Sequence, residues 1–375
     1  MSASYEVHIH NDLGQRLIIL SQSFISLDSV RMVNTVGTLT LKLPYGVLDP
    51  SFLAVDFTIL VWRSINGGAR FLMHQTLYYI QSWTHTNNAG DKQTTIECVD
   101  ALDLLRRRIV AYYAGSAQAQ KAAAAADNLM KAFVRENLAS TASDYAGSTA
   151  RGLPAAGFVV EPDLSLGASV TKAAAWRNLY DVLRELADSS RTSGVWLAFD
   201  LIVRVGFGLE FRVFANQRGI DRRAGSNALV LSEAAGTLTN VSVATDYSDL
   251  ATTIYAGGPG EQSDRIISSA SNVLLVRTNV GRREEFTTAY QGTSLSYVTN
   301  EAEAALALRR PRQTFTADIQ ETTRTVYDRD VTFGDYVKAE GFGITVDARL
   351  DGVRTVLDSS GLETITVALR AEEAL

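Results

Sequence analysis

Few residues of this 375-residue chain have the type and spacing that metal binding requires. His8 and His10 lie two positions apart, so in a β-strand they share a face, as two ligands of one metal ion would. The only other histidines are His74 and His85, and neither supplies a third ligand at a recognisable spacing. We therefore favour solvent-facing strand residues for this pair, and we expect no metal and no other cofactor.

The usual signals of a catalytic nucleophile are also missing. The sequence has no Gly-x-Ser-x-Gly motif, and its single cysteine, Cys98, lies in a strand-like run without an activating cation. We expect Cys98 to be a small buried hydrophobic residue. Asp328 with Asp330, and Glu284 with Glu285, have the residue type of a glycosidase pair, but solvated charge is the favoured interpretation. No catalytic residue is predicted.

Glycine-rich and arginine-rich segments are the remaining candidates for binding sites. The glycines at 206–208 and 257–260 are not followed by the Gly-Lys-Ser/Thr of a phosphate loop, so turns are predicted there. Arginine clusters are scattered and flanked by acids, at 106–108, 222–223, 282–283 and 309–310. Two interpretations stay open for them: pairing with carboxylates across a subunit interface, and ordinary surface charge.

Composition and charge exclude several classes of protein. With 46% hydrophobic and 20% charged residues and a mean hydropathy of +0.02, the chain is a packed globular protein of two to three domains. Its net charge of −6 comes from 35 basic and 41 acidic residues that are mixed along the chain, which disfavours specific nucleic-acid binding.

The sequence also bears on the compartment. No apolar run approaches the roughly 20 residues of a membrane helix, and the first residues lack the pattern of a secretory signal. A lone thiol fits folding in a reducing cytosol. We expect a protein that is made in the cytoplasm and has no stable membrane insertion.

The elements that must position these residues differ along the chain. Residues 1–110 are predicted to be strands, with Leu39, Leu41 and Leu43 alternating with polar residues. Apolar-aromatic runs follow at 57–62 and 71–83. The turn residues at 87–91 and the run at 94–99 then indicate a hairpin that leads into a short helix near 100–105.

Residues 111–228 are predicted to form an α/β unit. An alanine-rich helix is expected over 116–138, and a second helix is expected after Thr171, with Trp176 on its apolar face and its end near Gly194. Strands are expected at 158–160, 195–199 and 209–214.

Strands return in residues 229–375, where a single helix is expected. We place its N-cap at Asn300 and its end at Pro311. Asp351-Gly352 predicts a type I′ turn between two strands, and residues 358–361 predict another turn. The expected strands lie at 229–231, 238–244, 252–256, 273–278, 313–319 and 337–340.

The two β-rich ends share a faint repeat. Residues 80–99 and 353–369 each run from a strand through a polar turn into a Thr-Ile strand. Structural copies and coincidence are equally good explanations of this similarity.

The order of these parts resembles the phage tail hub proteins, also called baseplate hub or tail-tip hub proteins. They are related in fold to contractile-tail hubs and to type VI secretion spike proteins. The segments that carry the resemblance are a strand leading into a short helix at 94–110, a second strand start at 252–261, and residues 333–340 with their closing hairpins.

The resemblance implies a β-rich α+β fold, in which two tube-type β-barrels, residues 1–110 and 229–375, flank the inserted α/β domain at 111–228. It implies a structural virion protein, a homotrimeric ring at the tail tip or baseplate that adapts a sixfold tail tube to a threefold fibre or spike and surrounds the DNA exit channel. The implied partners are a distal tail or tail tube protein, a fibre or spike protein, and a tape measure protein in the lumen.

Some hub relatives carry a C-terminal cell-wall-cutting extension, and because this chain stops at Leu375, we do not expect an enzyme. Two alternatives remain. One is a tail-associated cell-wall or glycan hydrolase. The other is a carbohydrate-binding module that uses exposed Trp and Tyr residues, which quenching of Trp83 or Trp196 fluorescence by a glycan would support.

Overall fold

The computed structural model describes residues 3–21, 23–111, 119–143, 150–192, 194–206, 208–272, 281–289, 294–309 and 312–371. Strands far outnumber helices along these ranges, and most neighbouring strands are antiparallel. The predicted β-rich α+β class is therefore confirmed. Within the described ranges, no helix has the length and apolar character needed to cross a membrane.

The first part of the chain is built almost entirely of strands. Leu39, Leu41 and Leu43 are fully buried, as the alternation predicts. The predicted hairpin and the short helix after it are confirmed. The elements are β1 (Ala3–His10), β2 (Arg16–Ser21), β3 (Ser26–Met32), β4 (Thr35–Pro44), β5 (Thr58–Ile65), β6 (Arg70–Leu72), β7 (Tyr78–Asn88), β8 (Asp91–Asp100) and α1 (Asp103–Arg106).

The middle part packs two helices against small sheets. Its core is shared with Leu60, Leu77 and residues 101–110 of the preceding part. The elements are β9 (Ala119–Ala125), α2 (Ala126–Asn137), β10 (Phe158–Val160), β11 (Ser169–Ala174), α3 (Leu179–Thr192), β12 (Leu197–Val203) and β13 (Leu209–Ala215).

The last part returns to strands, with one helix inserted between them. The strand expected at 273–278 lies outside the described residues. The elements are β14 (Val230–Ser232), β15 (Leu238–Asp246), β16 (Thr253–Gly257), β17 (Ile267–Ser271), β18 (Glu284–Thr288), α4 (Leu295–Leu308), β19 (Arg312–Ile319), β20 (Tyr336–Gly341), β21 (Ile344–Leu357) and β22 (Glu363–Ala371).

Strands from both ends of the chain join in one 14-stranded sheet. Its main path runs β15-β19-β22-β21-β3-β4-β8-β7-β5-β1-β2, with β6, β14 and β20 attached beside it. The junction is β21, whose first half pairs with β20 and whose second half pairs with β3. Two separate cores lie along this path, one formed by the strands before Asp100 and one by the strands after Val230.

The predicted turn at Asp351-Gly352 is wrong. These two residues lie inside β21, where the pairing with β22 shifts register between Leu350 and Gly352. A type I′ turn requires positive φ at both central residues, and neither residue has it. A β-carbon on Gly352 would lie 3.3 Å from the Ala368 side chain, so the glycine permits close packing at a bulge. The next turn, at 358–361, is confirmed.

Helix boundaries differ from prediction at three places. The alanine-rich residues Ala119–Ala125 form β9, because they pair with β11 and this pairing overrides their helical propensity. The expected start at 116 lies outside the described residues. Trp176 precedes α3 with a φ of 55°, and α3 begins after Asn178, whose Oδ1 accepts the amide of Tyr180. Asn300 is not an N-cap, because α4 already begins at Leu295.

Candidate functional site

Charged side chains from distant parts of the chain meet around Arg31 in β3. Its guanidinium donates to Asp100 Oδ2 at 3.2 Å, to Asp200 Oδ1 at 2.8 Å and to the backbone oxygen of His74 at 2.9 Å. The side chains of Arg31, Asp100 and Asp200 are at most 2% exposed. Because Asp200 lies in β12, Arg31 ties the first part of the chain to the middle part.

Arg218 extends this contact to the last part of the chain. Its Nε donates to Asp200 Oδ2 at 2.6 Å, and its Nη1 donates to the backbone oxygen of Phe333 at 3.1 Å. Arg31, Asp100, Asp200 and Arg218 together form what we call the Arg31 cluster. A planar guanidinium presents several donors in fixed directions, which suits it to hold carboxylates and carbonyls from different segments at once.

The two acids of the Arg31 cluster differ in their pKa values. Burial raises the pKa of Asp100 to about 6, although the nearby Arg31 lowers it. Burial also acts to raise the pKa of Asp200, but Arg31 and Arg218 together outweigh burial and hold that pKa below its usual value. Asp200 is therefore the ionised centre of the cluster, and it is the acid that two arginines share.

A second buried arginine joins the first and last parts of the chain directly. Arg63 in β5 donates to both carboxylate oxygens of Glu363, each at 2.6 Å, and to Glu321 Oε1 at 2.8 Å. Its Nη1 donates to the backbone oxygen of Tyr327 at 3.0 Å, and the Tyr5 hydroxyl also contacts Glu363. We call Arg63, Glu321, Glu363 and Tyr5 the Arg63 cluster.

His74 connects the two clusters. Its backbone oxygen binds Arg31, while its ring Nδ1 lies 3.0 Å from the hydroxyl of Tyr327. Both side chains are buried. Burial lowers the pKa of His74 well below its usual value, and Arg31, Arg218 and Arg63 lower it further. The ring is therefore neutral at pH 7, and the connected clusters hold three parts of the chain in one arrangement.

The sheet that carries these arginines ends at β2 on one side and at β15 on the other. Along the described residues, β2 pairs only with β1, and β15 pairs only with β19. Ile19 on β2 is 39% exposed, and the side chains of β15 from Ala244 onward are exposed. Edge strands present unpaired backbone groups that can bind a strand from another chain.

The structure contradicts the solvent-facing placement of the histidine pair. His10 is 1% exposed and His8 is 9% exposed, because neighbouring side chains cover them; the ring of Trp62 packs against His8 with 5.9 Å between the ring centroids. Burial lowers the pKa of both rings. Across the described ranges, no three potential ligands among His, Cys, Asp and Glu are grouped closely enough to hold a metal ion.

The predictions for Cys98 and for the surface acids are confirmed, whereas that for Asp328 is wrong. Cys98 is buried, as predicted, and burial raises the pKa of its thiol. Solvated charge is confirmed for Glu284 and Glu285, which are paired with Arg282 and Arg309 at the surface. It is wrong for Asp328, whose side chain is only 6% exposed.

Most of the described arginines in the scattered clusters contact carboxylates within the chain. Arg106 and Arg107 pair with Asp103, and Arg222 pairs with the buried Asp335 at 2.6 Å. Arg223, Arg282 and Arg309 have acidic partners in the same way; Arg310 lies outside the described residues. Sequence inspection of these clusters did not find Arg31 or Arg63, which are single arginines within strands.

A protein family and several solved structures match this chain over nearly its whole length. A family profile described as "Siphovirus ReqiPepy6 Gp37-like protein" matches residues 6–369. No curated protein sequence is similar enough to count as a relative.

Among solved structures, the 43 kDa tail protein of prophage MuSo2 from Shewanella oneidensis is 12% identical, with a TM-score of 0.60, over 97% of this chain and 98% of that one. The tail protein of Neisseria meningitidis MC58 is also 12% identical, with a TM-score of 0.60, over 98% of this chain and 97% of that one. A chain of the Francisella PdpA–VgrG complex is 10% identical, with a TM-score of 0.56, over 100% of this chain and 59% of that one. The resemblance predicted from the sequence is thereby confirmed at the level of family and fold.

Proposed function

Since the chain belongs to the family of Siphovirus ReqiPepy6 Gp37-like proteins, we propose that it is a structural protein of the phage virion, the hub of the tail tip or baseplate. The observation that carries this proposal is the end-to-end similarity of its fold to phage tail proteins of nearly equal length. Since a fold alone does not assign a function, features of this chain must support the proposal as well.

The proposed hub has two tube-type barrels, residues 1–110 and 229–375, with the α/β unit at 111–228 on the outside. Two separate cores in the first and last parts of the chain support this division. Each part also contains a long hairpin with a register shift, β7–β8 in the first and β21–β22 in the last. Such bulges increase the local twist and bend of a sheet, as closure into a tube requires.

Three such chains would form a ring in which sheet edges pair between neighbours. The edges β2 and β15 lie at opposite ends of the sheet path, so one chain offers a different edge on each side. Head-to-tail contacts close into a ring when the rotation between neighbours is a whole fraction of a turn, and the proposed ring needs a rotation of one third. Three chains with two related barrels each present six similar positions toward a sixfold tail tube, and a threefold face toward a fibre or spike.

The remaining partners follow from this place in the virion. A distal tail or tail tube protein would contact the sixfold face, and a tape measure protein would occupy the lumen before DNA passes. The net charge of −6 suits a channel that DNA must leave without binding. The role is structural, so we expect no catalytic turnover.

Light scattering behind size exclusion, over a concentration series, tests the ring. We expect a mass of three chains, and we expect Ile19→Lys to shift it toward monomer because a charge on an edge strand opposes strand pairing. Leu362→Lys is the matched control, since Leu362 is 64% exposed in the turn before β22. A monomer at every concentration, both alone and with tail tube protein, would contradict the proposal, and cleavage of peptidoglycan by that monomer would favour a hydrolase instead.

A further inference from the structure

A cleft of about 430 Å³ lies beside the two arginine clusters, at the meeting place of all three parts of the chain. His74 contributes to it from the first part, Arg218 from the middle part, and Asp328 from the last part. Its apolar walls include Phe71, Ile202 and Phe333. The volume falls within the roughly 300–1,000 Å³ of small-molecule sites in proteins.

Three buried polar side chains in this cleft each have one atom without a hydrogen-bond partner in the described part of the chain. The atoms are His74 Nε2, Arg218 Nη2 and Asp328 Oδ2. The side chains of His74, Arg218 and Asp328 are 0%, 6% and 6% exposed. Buried polar atoms are nearly always hydrogen-bonded, so three such atoms lining one cleft point to a ligand that binds them.

Two of the three atoms can act as donors. The Arg218 Nη2 group can only donate. The neutral His74 ring carries one proton, and its Nδ1 lies 3.0 Å from the Tyr327 hydroxyl, which can donate or accept. In the tautomer in which Nδ1 accepts from Tyr327, the ring proton lies on Nε2, and Nε2 donates to a ligand in the cleft.

The charge around the cleft favours an anion. Of the residues that line the cleft, Arg212 and Arg218 are basic and Asp328 is acidic, and a guanidinium group suits a carboxylate. Asp328 provides the acceptor, which suits a hydroxyl hydrogen, and the aromatic and aliphatic walls suit the C–H faces of a sugar ring.

We propose that this cleft binds a small sugar acid, with its carboxylate on Arg218 Nη2 and His74 Nε2 and a hydroxyl group on Asp328 Oδ2. The proposal goes beyond the hub function, and neither depends on the other. His74 and Asp328 both have positive φ, 57° and 64°, and strained backbone of this kind is common at ligand sites.

The test is calorimetric titration of the full chain with D-glucuronate, with D-glucose as the matched sugar that lacks the carboxylate. We expect glucuronate to bind with a dissociation constant of about 1 mM or below, and glucose to bind about tenfold more weakly or not at all. Water alone in the cleft would give no binding of either sugar, and equal binding of both would exclude carboxylate recognition. Either result overturns the proposal.

Two variants locate the binding. His74 and Asp328 both have positive φ, and asparagine tolerates that conformation. His74→Asn and Asp328→Asn should therefore keep the native backbone. His74→Asn should weaken glucuronate binding about tenfold because it removes the ring donor to the carboxylate, and Asp328→Asn should weaken it less because asparagine keeps an acceptor oxygen but loses the charge. Asp12→Asn, a change at an exposed residue outside the cleft, is the matched control and should bind normally. Unchanged binding in both cleft variants would overturn the proposal.

A measurement on the unaltered chain covers the case in which a variant fails to fold. The protein has four histidines, and His74 is the one that lines this cleft. In protein labelled at histidine, glucuronate should shift one imidazole NMR signal and leave those of His8, His10 and His85 in place. A shift of none of the four signals, or of a signal other than that of His74, would contradict the proposed site.

Discussion

The guanidinium groups of Arg31 and Arg63 are both buried, and each contacts two carboxylates and one backbone carbonyl oxygen. Their surroundings differ. The acids bound to Arg31 are 0% and 2% exposed, whereas Glu321 and Glu363, bound to Arg63, are 10% and 14% exposed. Similar contacts therefore lie in different dielectric environments, one in the interior and one near water.

The difference determines what happens when an arginine is removed. A carboxylate in the interior that loses its partner must stay charged without solvation or take up a proton, and both are costly. A carboxylate near the surface can turn toward water at a smaller cost. If contact geometry alone decided the loss of stability, removing either arginine would have the same effect. Mutation of each arginine therefore separates the effect of burial from that of hydrogen bonding.

The largest effect is expected for Arg31→Met. This change leaves Asp100 buried without a charged partner, and Asp200 retains only Arg218. We expect the free energy of unfolding to fall by about 3–5 kcal/mol, as measured by urea denaturation. Arg31→Lys is the control, because it keeps the charge and loses the fork of donors, and it should fall between the variant and the native chain. A loss below about 1 kcal/mol in Arg31→Met would show that this cluster contributes little.

The matching change Arg63→Met should cost less, about 2–3 kcal/mol by the same measurement. Tyr5 still contacts Glu363, the backbone amide of Tyr327 still donates to Glu321 at 2.9 Å, and both acids can reach water after a small movement. The order of the two variants is the test of the comparison. An equal loss, or a larger loss at Arg63, would mean that burial does not set the difference.

Asp328 adjoins both clusters, and its titration should also show the cost of burying a carboxylate. The effect appears as a dependence of stability on pH. Burial raises its pKa to about 7 against the opposing charges of Arg63 and Arg218, whereas its ordinary value is 3.8. Between these pH values the native state holds a proton that the unfolded chain has lost, so the contribution of Asp328 to stability falls as pH rises.

Asp328→Asn removes this titration. The free energy of unfolding of the variant, minus that of the native chain, should therefore increase by roughly 1–3 kcal/mol from about pH 5 to about pH 8. Urea denaturation at the two pH values measures this difference. Asp12→Asn serves as the exposed control with no such gain. A difference between Asp328→Asn and the native chain that is the same at both pH values would contradict the raised pKa.

Local patterns in the sequence predicted local structure. The alternation of Leu39, Leu41 and Leu43 predicted a strand with one buried face, and the polar turn at 87–91 predicted the β7–β8 hairpin. Prediction failed where distant residues decide the outcome. Ala119–Ala125 has high helical propensity, but it pairs with β11 about 50 residues later.

The arginine clusters lay beyond sequence reasoning for the same reason. Arg31 meets Asp200 across 169 positions, and Arg63 meets Glu363 across 300. No spacing rule for a single element connects residues this far apart. The only local hint was an arginine in an otherwise apolar strand, as in β5 (Thr-Ile-Leu-Val-Trp-Arg-Ser-Ile), where a charge inside a buried run needs a partner.

The smallest effect is expected at Arg354, which repeats the two-pronged contact of Arg63 at the surface. Its Nε and Nη2 donate to the two oxygens of Asp28 at 3.0 and 2.7 Å, across the junction of β21 and β3. The two side chains are 57% and 35% exposed, so water already solvates both charges. Arg354→Ala should therefore change the free energy of unfolding by about 0.5 kcal/mol or less, and salt should weaken even that effect. A loss as large as that of Arg63→Met would mean that the β21–β3 junction depends on this ion pair, and that exposure does not separate the three arginines.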